Sequence, residues 1–180
     1  AYCVSIALAV HNRLLVGVVH DPVAGETFSA TSGGGAWLNG KRLGVSRISR
    51  LEDALAAVSF PAQATVESDA VRDFLVALPH FQAFRRSGST ALNLAWLASG
   101  RLDAFWVRRI QSWDVAAGLL LVREAGGFVT PLGDHVQTTA IQDVDLDSPA
   151  FVAAASPELV RAILELLRPE GRVTSAATAR

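Results

Sequence analysis

The sequence contains no methionine and a single cysteine, Cys3, among its 180 residues. One cysteine cannot form an internal disulfide, and it cannot supply a cluster of thiolate metal ligands. The longest apolar run, residues 115–122, has eight residues and includes a glycine, whereas a membrane-spanning helix needs about 20. The net charge of −1 offers no excess of positive charge for a nucleic-acid polymer. These absences argue against a disulfide scaffold, a membrane partner and a nucleic-acid partner.

The sequence begins with alanine, and its first residues already have the pattern of a strand. No basic region precedes this strand, so we expect no secretory signal peptide and a cytoplasmic location. Because the initiator methionine is absent, we expect the sequence to be part of a longer protein whose N-terminal portion is missing.

The composition is that of a folded chain, with 51% hydrophobic and 18% charged residues and a mean hydropathy of +0.32. The length is typical of one domain, since domains have about 150 residues. We expect that domain to cover residues 1–168. Residues 169–180 are small and polar, which predicts a flexible tail.

The first sixty residues have the pattern of β-structure. The Asn39-Gly40 pair between two extended segments is typical of a tight hairpin, in which both positions need a positive φ. The run Gly33-Gly34-Gly35 leads into that hairpin and lacks the spacing of a dinucleotide-binding loop, so we interpret it as a flexible turn. The predicted strands here are 4–10, 14–20, 26–30 and 41–46.

From residue 54 onward, strands and helices alternate, which predicts an α/β layered sandwich. In the first helix, Val71, Phe74, Leu75 and Leu78 fall on one face. The predicted strands are 54–60, 81–86, 102–107, 128–130 and 150–155, and the predicted helices are 68–78, 89–99, 113–125 and 157–168.

The histidines and one acidic cluster do not have the spacing of a metal site. His11, His20, His80 and His135 are scattered, and no two lie four residues apart on a helix. The acidic run at 143–147 resembles the start of a calcium loop, but its sixth position is serine and its twelfth is alanine. We interpret this run as a solvated loop.

Two predicted helix starts can carry chemistry. Gly88, Ser89 and Thr90 stand where a strand gives way to a helix, and the free N–H groups of a helix N-terminus attract anions. Asp114 lies in the first turn of the next helix, where a carboxylate stays ionised and can bind Mg²⁺ beside a phosphate. The alternative is that Ser89 and Asp114 are ordinary helix-capping residues.

Four segments of the sequence resemble the inositol monophosphatase family. They are residues 88–95 (Gly-Ser-Thr-Ala-Leu-Asn-Leu-Ala), 98–106 (Ala-Ser-Gly-Arg-Leu-Asp-Ala-Phe-Trp), 113–118 (Trp-Asp-Val-Ala-Ala-Gly) and 124–127 (Glu-Ala-Gly-Gly). The early part agrees in Asp21-Pro22, Glu26, Phe28, Gly35-Ala36 and Leu38-Asn39-Gly40. The resemblance covers roughly residues 1–155, and the shared spacing of several motifs makes it specific.

This resemblance implies a layered αβαβα sandwich of the sugar-phosphatase type and Mg²⁺-dependent hydrolysis of a small phosphate monoester, either an inositol phosphate or a related sugar or polyol phosphate. It assigns Asp114 as a catalytic metal ligand and Gly88, Ser89 and Thr90 as substrate contacts. It also implies a small phosphorylated sugar or polyol as the ligand, and a homodimer, which no residue of the sequence establishes.

The sequence departs from the family pattern in two ways. The upstream glutamate and the Asp-Pro-(Ile/Leu)-Asp-Gly-Thr motif, which supply further metal ligands in the family, are absent; Asp21-Pro22 is a different, later element. We therefore expect this chain by itself to be inactive. Many inositol phosphatases also have a glutamate seven residues before the Trp-Asp aspartate, where this sequence has Val107, and a valine cannot accept a hydrogen bond from a substrate hydroxyl.

Two alternatives stay open. The same fold could act on fructose bisphosphate, histidinol phosphate or a nucleotide 3′-phosphate, or the chain could be a non-catalytic relative that serves as a binding protein.

Overall fold

The computed structural model describes residues 1–132 and 144–168. These residues form two five-stranded sheets, four α-helices and one short 3₁₀-helix (Leu51–Asp53). The strands are β1 (Val4–Val10), β2 (Arg13–Asp21), β3 (Glu26–Thr31), β4 (Gly35–Leu38), β5 (Lys41–Arg42), β6 (Leu55–Ala57), β7 (Ala83–Arg85), β8 (Ala104–Val107), β9 (Phe128–Pro131) and β10 (Phe151–Ala154). The helices are α1 (Asp69–Ala77), α2 (Thr90–Ala98), α3 (Ser112–Glu124) and α4 (Pro157–Leu166).

The first sheet is an antiparallel meander with the strands in chain order, β1-β2-β3-β4-β5. All four of its turns contain a residue with positive φ. In two of them a pair of residues has it: His11 (48°) and Asn12 (62°) between β1 and β2, and Asn39 (47°) and Gly40 (79°) between β4 and β5. The Asn-Gly hairpin predicted from the sequence is therefore confirmed.

The second sheet has the order β7-β6-β8-β10-β9. Strand β6 runs parallel to β7 and β8, and β10 runs antiparallel to β8 and β9. The buried Asp103 fixes the centre of this sheet, because its carboxylate accepts hydrogen bonds from Leu55 N at 2.7 Å and from Ser46 Oγ at 2.5 Å. The segment 43–57 is thereby tied to the start of β8.

Helices α2 and α3 lie between the two sheets, and α1 and α4 cover the far side of the second sheet. One core joins the first sheet to α2, α3 and the near face of the second sheet, including Phe28, Leu94, Leu119, Phe105 and Phe151. A second core joins the far face of that sheet to α4 and α1. The described residues therefore form four layers, β-α-β-α, which confirms the α/β class and supplies four of the five layers expected for an αβαβα sandwich.

The outer face of the first sheet is not covered by any of the described residues. Gly17 of β2 packs against α3, and its register partner Ala7 points to the same side. The side chains that alternate with Ala7 on β1 point the other way, and they are apolar and exposed: Val4, Ile6, Leu8 and Val10.

Several predicted elements are shorter than expected. The predicted strand 41–46 is β5 of two residues, because Leu43 N still bonds to Ala36 O while Val45 N turns to Ala125 O. The predicted strand 54–60 is reduced to β6. His135, residue 143 of the acidic run and the tail at 169–180 lie outside the described residues.

The apolar face predicted for α1 is only partly buried. Leu75 and Leu78 are about half exposed, at 52% and 49%, while Asp73 and Ala77 are buried. Asp73 can be buried because Arg108 forms two hydrogen bonds with its carboxylate, at 2.6 and 2.8 Å. An ion pair between residues distant in the sequence thus determines which face of α1 is buried.

Candidate active site

A cleft opens where the start of β1 meets the N-termini of α2 and α3. Its volume is about 370 Å³. The lining residues are Ala1, Tyr2, Cys3, Ser5, Gly88, Ser89, Thr90, Ala91 and Asp114. The structure thus places in one cleft all four residues selected from the sequence, although 24 positions separate Thr90 from Asp114.

The turn at Gly88 presents the N-terminus of α2 to this cleft. Gly88 has a φ of +84°, which favours glycine, and Ser89 caps the helix by accepting a hydrogen bond from Leu92 N at 3.3 Å. Within the described residues, the backbone N–H groups of Thr90 and Ala91 have no hydrogen-bond acceptor. Two free donors and the positive end of the helix dipole make this wall of the cleft attractive to an anion.

Asp114 is the third residue of α3 and lines the same cleft. Its side chain is half-buried and follows the exposed indole of Trp113. No hydrogen-bond donor or cation among the described residues contacts its carboxylate. An uncompensated carboxylate and an anion-attracting helix end share one cleft, an arrangement that repels an anion unless a cation lies between them.

The chemistry of the donor set suits Mg²⁺ as one part of a larger site. This ion prefers oxygen ligands, and it commonly uses one or two carboxylates with the remaining positions filled by phosphate oxygens and water. Asp114 offers one such carboxylate, whereas the thiol of Cys3 is a soft ligand that Mg²⁺ does not favour. No group of three or more His, Cys, Asp or Glu side chains that could hold a metal ion occurs within residues 1–132 and 144–168.

Sequence reasoning did not anticipate that the first residues of the chain form part of this cleft. The Sγ atom of Cys3 lies 3.5 Å from Ser89 Oγ, and Ser5 lies on the same side of β1. Their contribution depends on β1 running past the start of α2, which is a tertiary contact without a local sequence signal.

Comparison with known proteins decides the family. The model of the inositol monophosphatase family matches residues 1–171. The chain belongs to the inositol monophosphatase family. In the part of the chain that the structure describes, no helix is long and apolar enough to cross a membrane.

Similar proteins carry two kinds of name. The Nus factor SuhB of Escherichia coli (strain K12) is 39% identical over 172 residues, which cover 94% of this chain and 61% of that protein. The inositol-1-monophosphatase of Mesorhizobium japonicum is 37% identical over 171 residues, covering 93% of this chain and 60% of that protein. The chain thus spans about three fifths of the length of the curated relatives that it matches.

Solved structures agree with the fold. The inositol monophosphatase of Anabaena (Nostoc) sp. PCC 7120 superposes with a TM-score of 0.82 at 33% identity, covering 93% of this chain and 64% of that one. The extragenic suppressor protein suhB of Bartonella henselae gives a TM-score of 0.81 at 33% identity, with 93% and 61% covered.

Val107, the position at which many inositol phosphatases have a glutamate, lies outside the cleft. It is 9% exposed at the end of β8 and packs in the core between the sheets. With Asp73 and Arg108 it lines a separate crevice of only about 10 Å³. The described cleft therefore has no polar side chain from this position.

The far end of α3 is also fixed, by Glu124. Its carboxylate accepts hydrogen bonds from Gly33 N and Gly35 N, both at 2.8 Å. A carboxylate at a helix C-terminus is disfavoured by the helix dipole, and these two charge-assisted bonds compensate for that position. The glycine run interpreted as a flexible turn is thus anchored to the helix that carries Asp114.

Proposed function

We propose that this chain forms part of a Mg²⁺-dependent phosphatase that hydrolyses a small phosphate monoester, either an inositol phosphate or a related sugar or polyol phosphate. The observation that carries the proposal is the pairing, in one cleft, of the uncompensated Asp114 carboxylate with the free N–H groups of Thr90 and Ala91. A bound anion accepts hydrogen bonds from the free N–H groups, and a bound cation compensates the charge of the carboxylate. Neither ion alone does both.

The residues of the chain would divide the work between binding and charge compensation. The N–H groups of Thr90 and Ala91 would donate to phosphate oxygens, with the Ser89 hydroxyl at the edge of the cleft as a further polar contact. Asp114 would hold the cation. A bound Mg²⁺ supplies a Lewis acid for the phosphoryl oxygens and lowers the pKa of a coordinated water.

Two helix N-termini give the cleft its electrostatic character. Both α2 and α3 begin there, and each helix start carries roughly half a positive charge. That charge favours the negative charge that the phosphoryl group carries in the transition state. The cleft therefore attracts a negatively charged ligand, although none of its lining side chains is positively charged.

The substrate we favour is a small phosphorylated sugar or polyol. Fructose bisphosphate, histidinol phosphate and nucleotide 3′-phosphates remain alternatives, because Val107 provides no acceptor for a substrate hydroxyl. A homodimer and a cytoplasmic location stay expectations of the sequence.

A second candidate function is a non-catalytic binding role. It is favoured by the name of the relatives that are called Nus factors, which are as similar to this chain as the named phosphatase is. The Asp114 experiment below separates the two candidates, because a binding protein has no need of a metal-dependent turnover.

We predict that Asp114→Asn, made in the full-length protein, raises the Mg²⁺ concentration needed for activity and lowers kcat. Asparagine keeps the shape of the side chain but removes the charge that attracts the cation. The loss of Mg²⁺ affinity or activity should be at least the roughly 10–100-fold loss that follows removal of the hydrogen-bond partners of metal ligands. The measurement is a Mg²⁺ titration of phosphate release from a panel of phosphate monoesters, beside a melting curve without metal.

Asp69→Asn is the matched control, because Asp69 is also a first-turn aspartate but lies on α1, outside the cleft. We expect it to leave the Mg²⁺ titration unchanged. The 180-residue chain alone should show almost no turnover, since the described residues offer a single carboxylate to the ion. Near-normal activity of Asp114→Asn, or turnover by the 180-residue chain at the roughly 1–10³ s⁻¹ of ordinary enzymes, contradicts the assignment.

A further inference from the structure

Arg108 and Asp73 form a largely buried ion pair on the far side of the second sheet. The Arg108 guanidinium donates from Nε to Asp73 Oδ2 at 2.6 Å and from Nη2 to Asp73 Oδ1 at 2.8 Å, and Asp73 is 6% exposed. Burying two charges costs free energy, and a buried ion pair often adds less stability than apolar side chains of the same volume. Stability alone therefore does not explain this pair.

A further hydrogen bond makes Arg108 a connection between three elements. Its Nη2 also donates to the backbone oxygen of Leu167 at 3.2 Å, and Leu167 is the residue that caps the C-terminus of α4. The last carbonyl groups of a helix lack acceptor bonds within the helix and carry partial negative charge. The guanidinium thus joins the end of β8 to α1, through Asp73, and to α4, through Leu167.

The segment that follows Arg108 leads directly to the candidate metal ligand. Residues 108–111 connect β8 to α3, and Asp114 is the third residue of that helix. Side chains of this stretch are held on both sides of the second sheet. Val107 and Ile110 pack against the core between the sheets, whereas Arg108 reaches α1 and α4. Because the connection has only four residues, a shift of Arg108 is transmitted to the start of α3.

The first turn of α3 depends on this connection for its position. The buried residues of the helix begin at Val115, whereas Trp113 is exposed and Asp114 is half-buried. The N-cap residue, Gln111, makes no capping hydrogen bond through its side chain, unlike the serines that cap α2 and α4. A helix start without such a bond is less stable than a capped one. Core packing therefore fixes α3 from Val115 onward and leaves Asp114 to the connection.

We propose that Arg108 and Asp73 are positioning residues that hold Asp114 in the geometry that a cation requires. The ion pair fixes the first residue of the connection against α1 and α4, and the connection in turn orders the uncapped first turn of α3. Mg²⁺ demands near-ideal geometry of its oxygen ligands, so a displaced or mobile carboxylate binds it less well. This inference rests on the proposed function, in which Asp114 is a metal ligand.

The test uses Arg108→Lys in the full-length protein. Lysine keeps the positive charge beside Asp73 but cannot form the two parallel hydrogen bonds of a guanidinium. We expect the dissociation constant of Mg²⁺, measured by calorimetry with the metal alone, to rise about tenfold, the lower end of the effect of losing the bonds that orient metal ligands. The amide hydrogen of Asp114, which bonds to Gln111 O at 3.1 Å, should exchange faster with solvent.

The same variant should separate two kinetic constants. The Mg²⁺ concentration needed for half-maximal phosphate release should rise in parallel with the dissociation constant. By contrast, kcat at saturating Mg²⁺ should change much less, because a bound cation itself holds the Asp114 carboxylate in place.

A double variant, Asp73→Leu with Arg108→Met, separates positioning from stability. Apolar side chains of similar volume commonly preserve the stability that a buried ion pair provides, but they do not form directional bonds that fix the connection. We expect a melting temperature close to that of the unchanged protein, together with weakened Mg²⁺ binding like that of Arg108→Lys. If the double variant does not fold, the calorimetry and the hydrogen exchange of Arg108→Lys decide the question.

Arg101→Lys is the matched control. Arg101 also donates two hydrogen bonds to one carboxylate, that of Glu26, at 2.6 and 2.7 Å, but it follows α2 and does not belong to the connection before α3. We expect this variant to leave Mg²⁺ affinity and the exchange of the Asp114 amide unchanged.

Three results would overturn the inference. They are unchanged Mg²⁺ binding in Arg108→Lys, equal losses in Arg101→Lys, and normal Mg²⁺ binding in a folded double variant. A different result defeats the proposed function instead: the unchanged full-length protein would neither bind Mg²⁺ nor hydrolyse any phosphate monoester of the panel.

Discussion

Glu26 of β3 and Arg101, just after α2, form a two-pronged ion pair at the surface. The guanidinium nitrogens of Arg101 lie 2.6 and 2.7 Å from the two carboxylate oxygens, and the Arg101 guanidinium also stacks over the Phe28 ring. The hydrogen bonds from Arg101 lower the pKa of Glu26 below its ordinary value. The pair joins the first sheet to the end of α2, so its charge state affects how two layers are held together.

We predict that Glu26→Gln destabilises the protein at neutral pH but not in acid. Because the pKa of Glu26 is lower in the folded chain than in the unfolded chain, its contribution is present above the unfolded value of about 4.3 and is lost as the pH falls through the folded value. Both side chains are partly exposed, which limits the effect to about 0.2–1 kcal/mol. Urea unfolding at pH 7 and pH 3 measures the difference in free energy of unfolding between the variant and the unchanged protein. An equal difference at the two pH values would argue against this role.

At the scale of elements, α3 depends on its small residues for close contact with both neighbours. A Cβ on Gly118 would lie 2.5 Å from the Cβ of Leu94 on α2, and a Cβ on Gly17 of β2 would lie 2.8 Å from the backbone oxygen of Ala117. The Ala-Ala-Gly part of the Trp-Asp motif therefore has a packing reason that is separate from the chemistry of Asp114.

We predict that Gly118→Ala costs about 1–3 kcal/mol of folding free energy, because the added methyl group forces α2 and α3 apart in a well-packed core. Gly44→Ala is the control. Gly44 is exposed, its φ is not positive, and its added Cβ would meet only Ala125 O, at 4.0 Å. Denaturant titration compares the two, and an equal, small change in both would show that the helices can separate freely.

Elements could be predicted from the sequence wherever the signal was local. The positive-φ pair Asn39-Gly40 and the Ser89 cap each act within three or four residues, and each is confirmed. The face of α1 and the glycine turn could not be predicted, because Arg108 lies 35 residues from Asp73, and Glu124 lies 91 residues from Gly33. Local pattern carries no information about such partners.

The candidate site shows the same limit at the scale of the whole molecule. The helix starts at Ser89 and Asp114 could be selected from the sequence, and the structure brings them to one cleft. Their chemical roles stay predictions. The approach of β1 to that cleft depends on a tertiary contact that no sequence spacing indicated.

The strand order of the two sheets bears on how fast each half of the molecule can form. Strands of the first sheet are joined in chain order by turns of two to four residues, and hairpins of this kind close in about 1–10 μs. In the second sheet, Ala56 pairs with Ala104, and Val107 pairs with Phe151; each pair is separated by more than forty residues in the sequence. Closing a long loop costs conformational entropy before the paired strands form any stabilising contact. Such pairing is therefore slow.

We therefore expect refolding in two kinetic phases, in which amides of β1–β3 are protected from hydrogen exchange before those of β8 and β10. Pulse labelling during refolding measures this order, and simultaneous protection of both sheets would contradict it. The cleft needs β1 from the early half and the starts of α2 and α3, which pack between both halves. A refolding molecule would then acquire most of its first sheet well before it could bind phosphate.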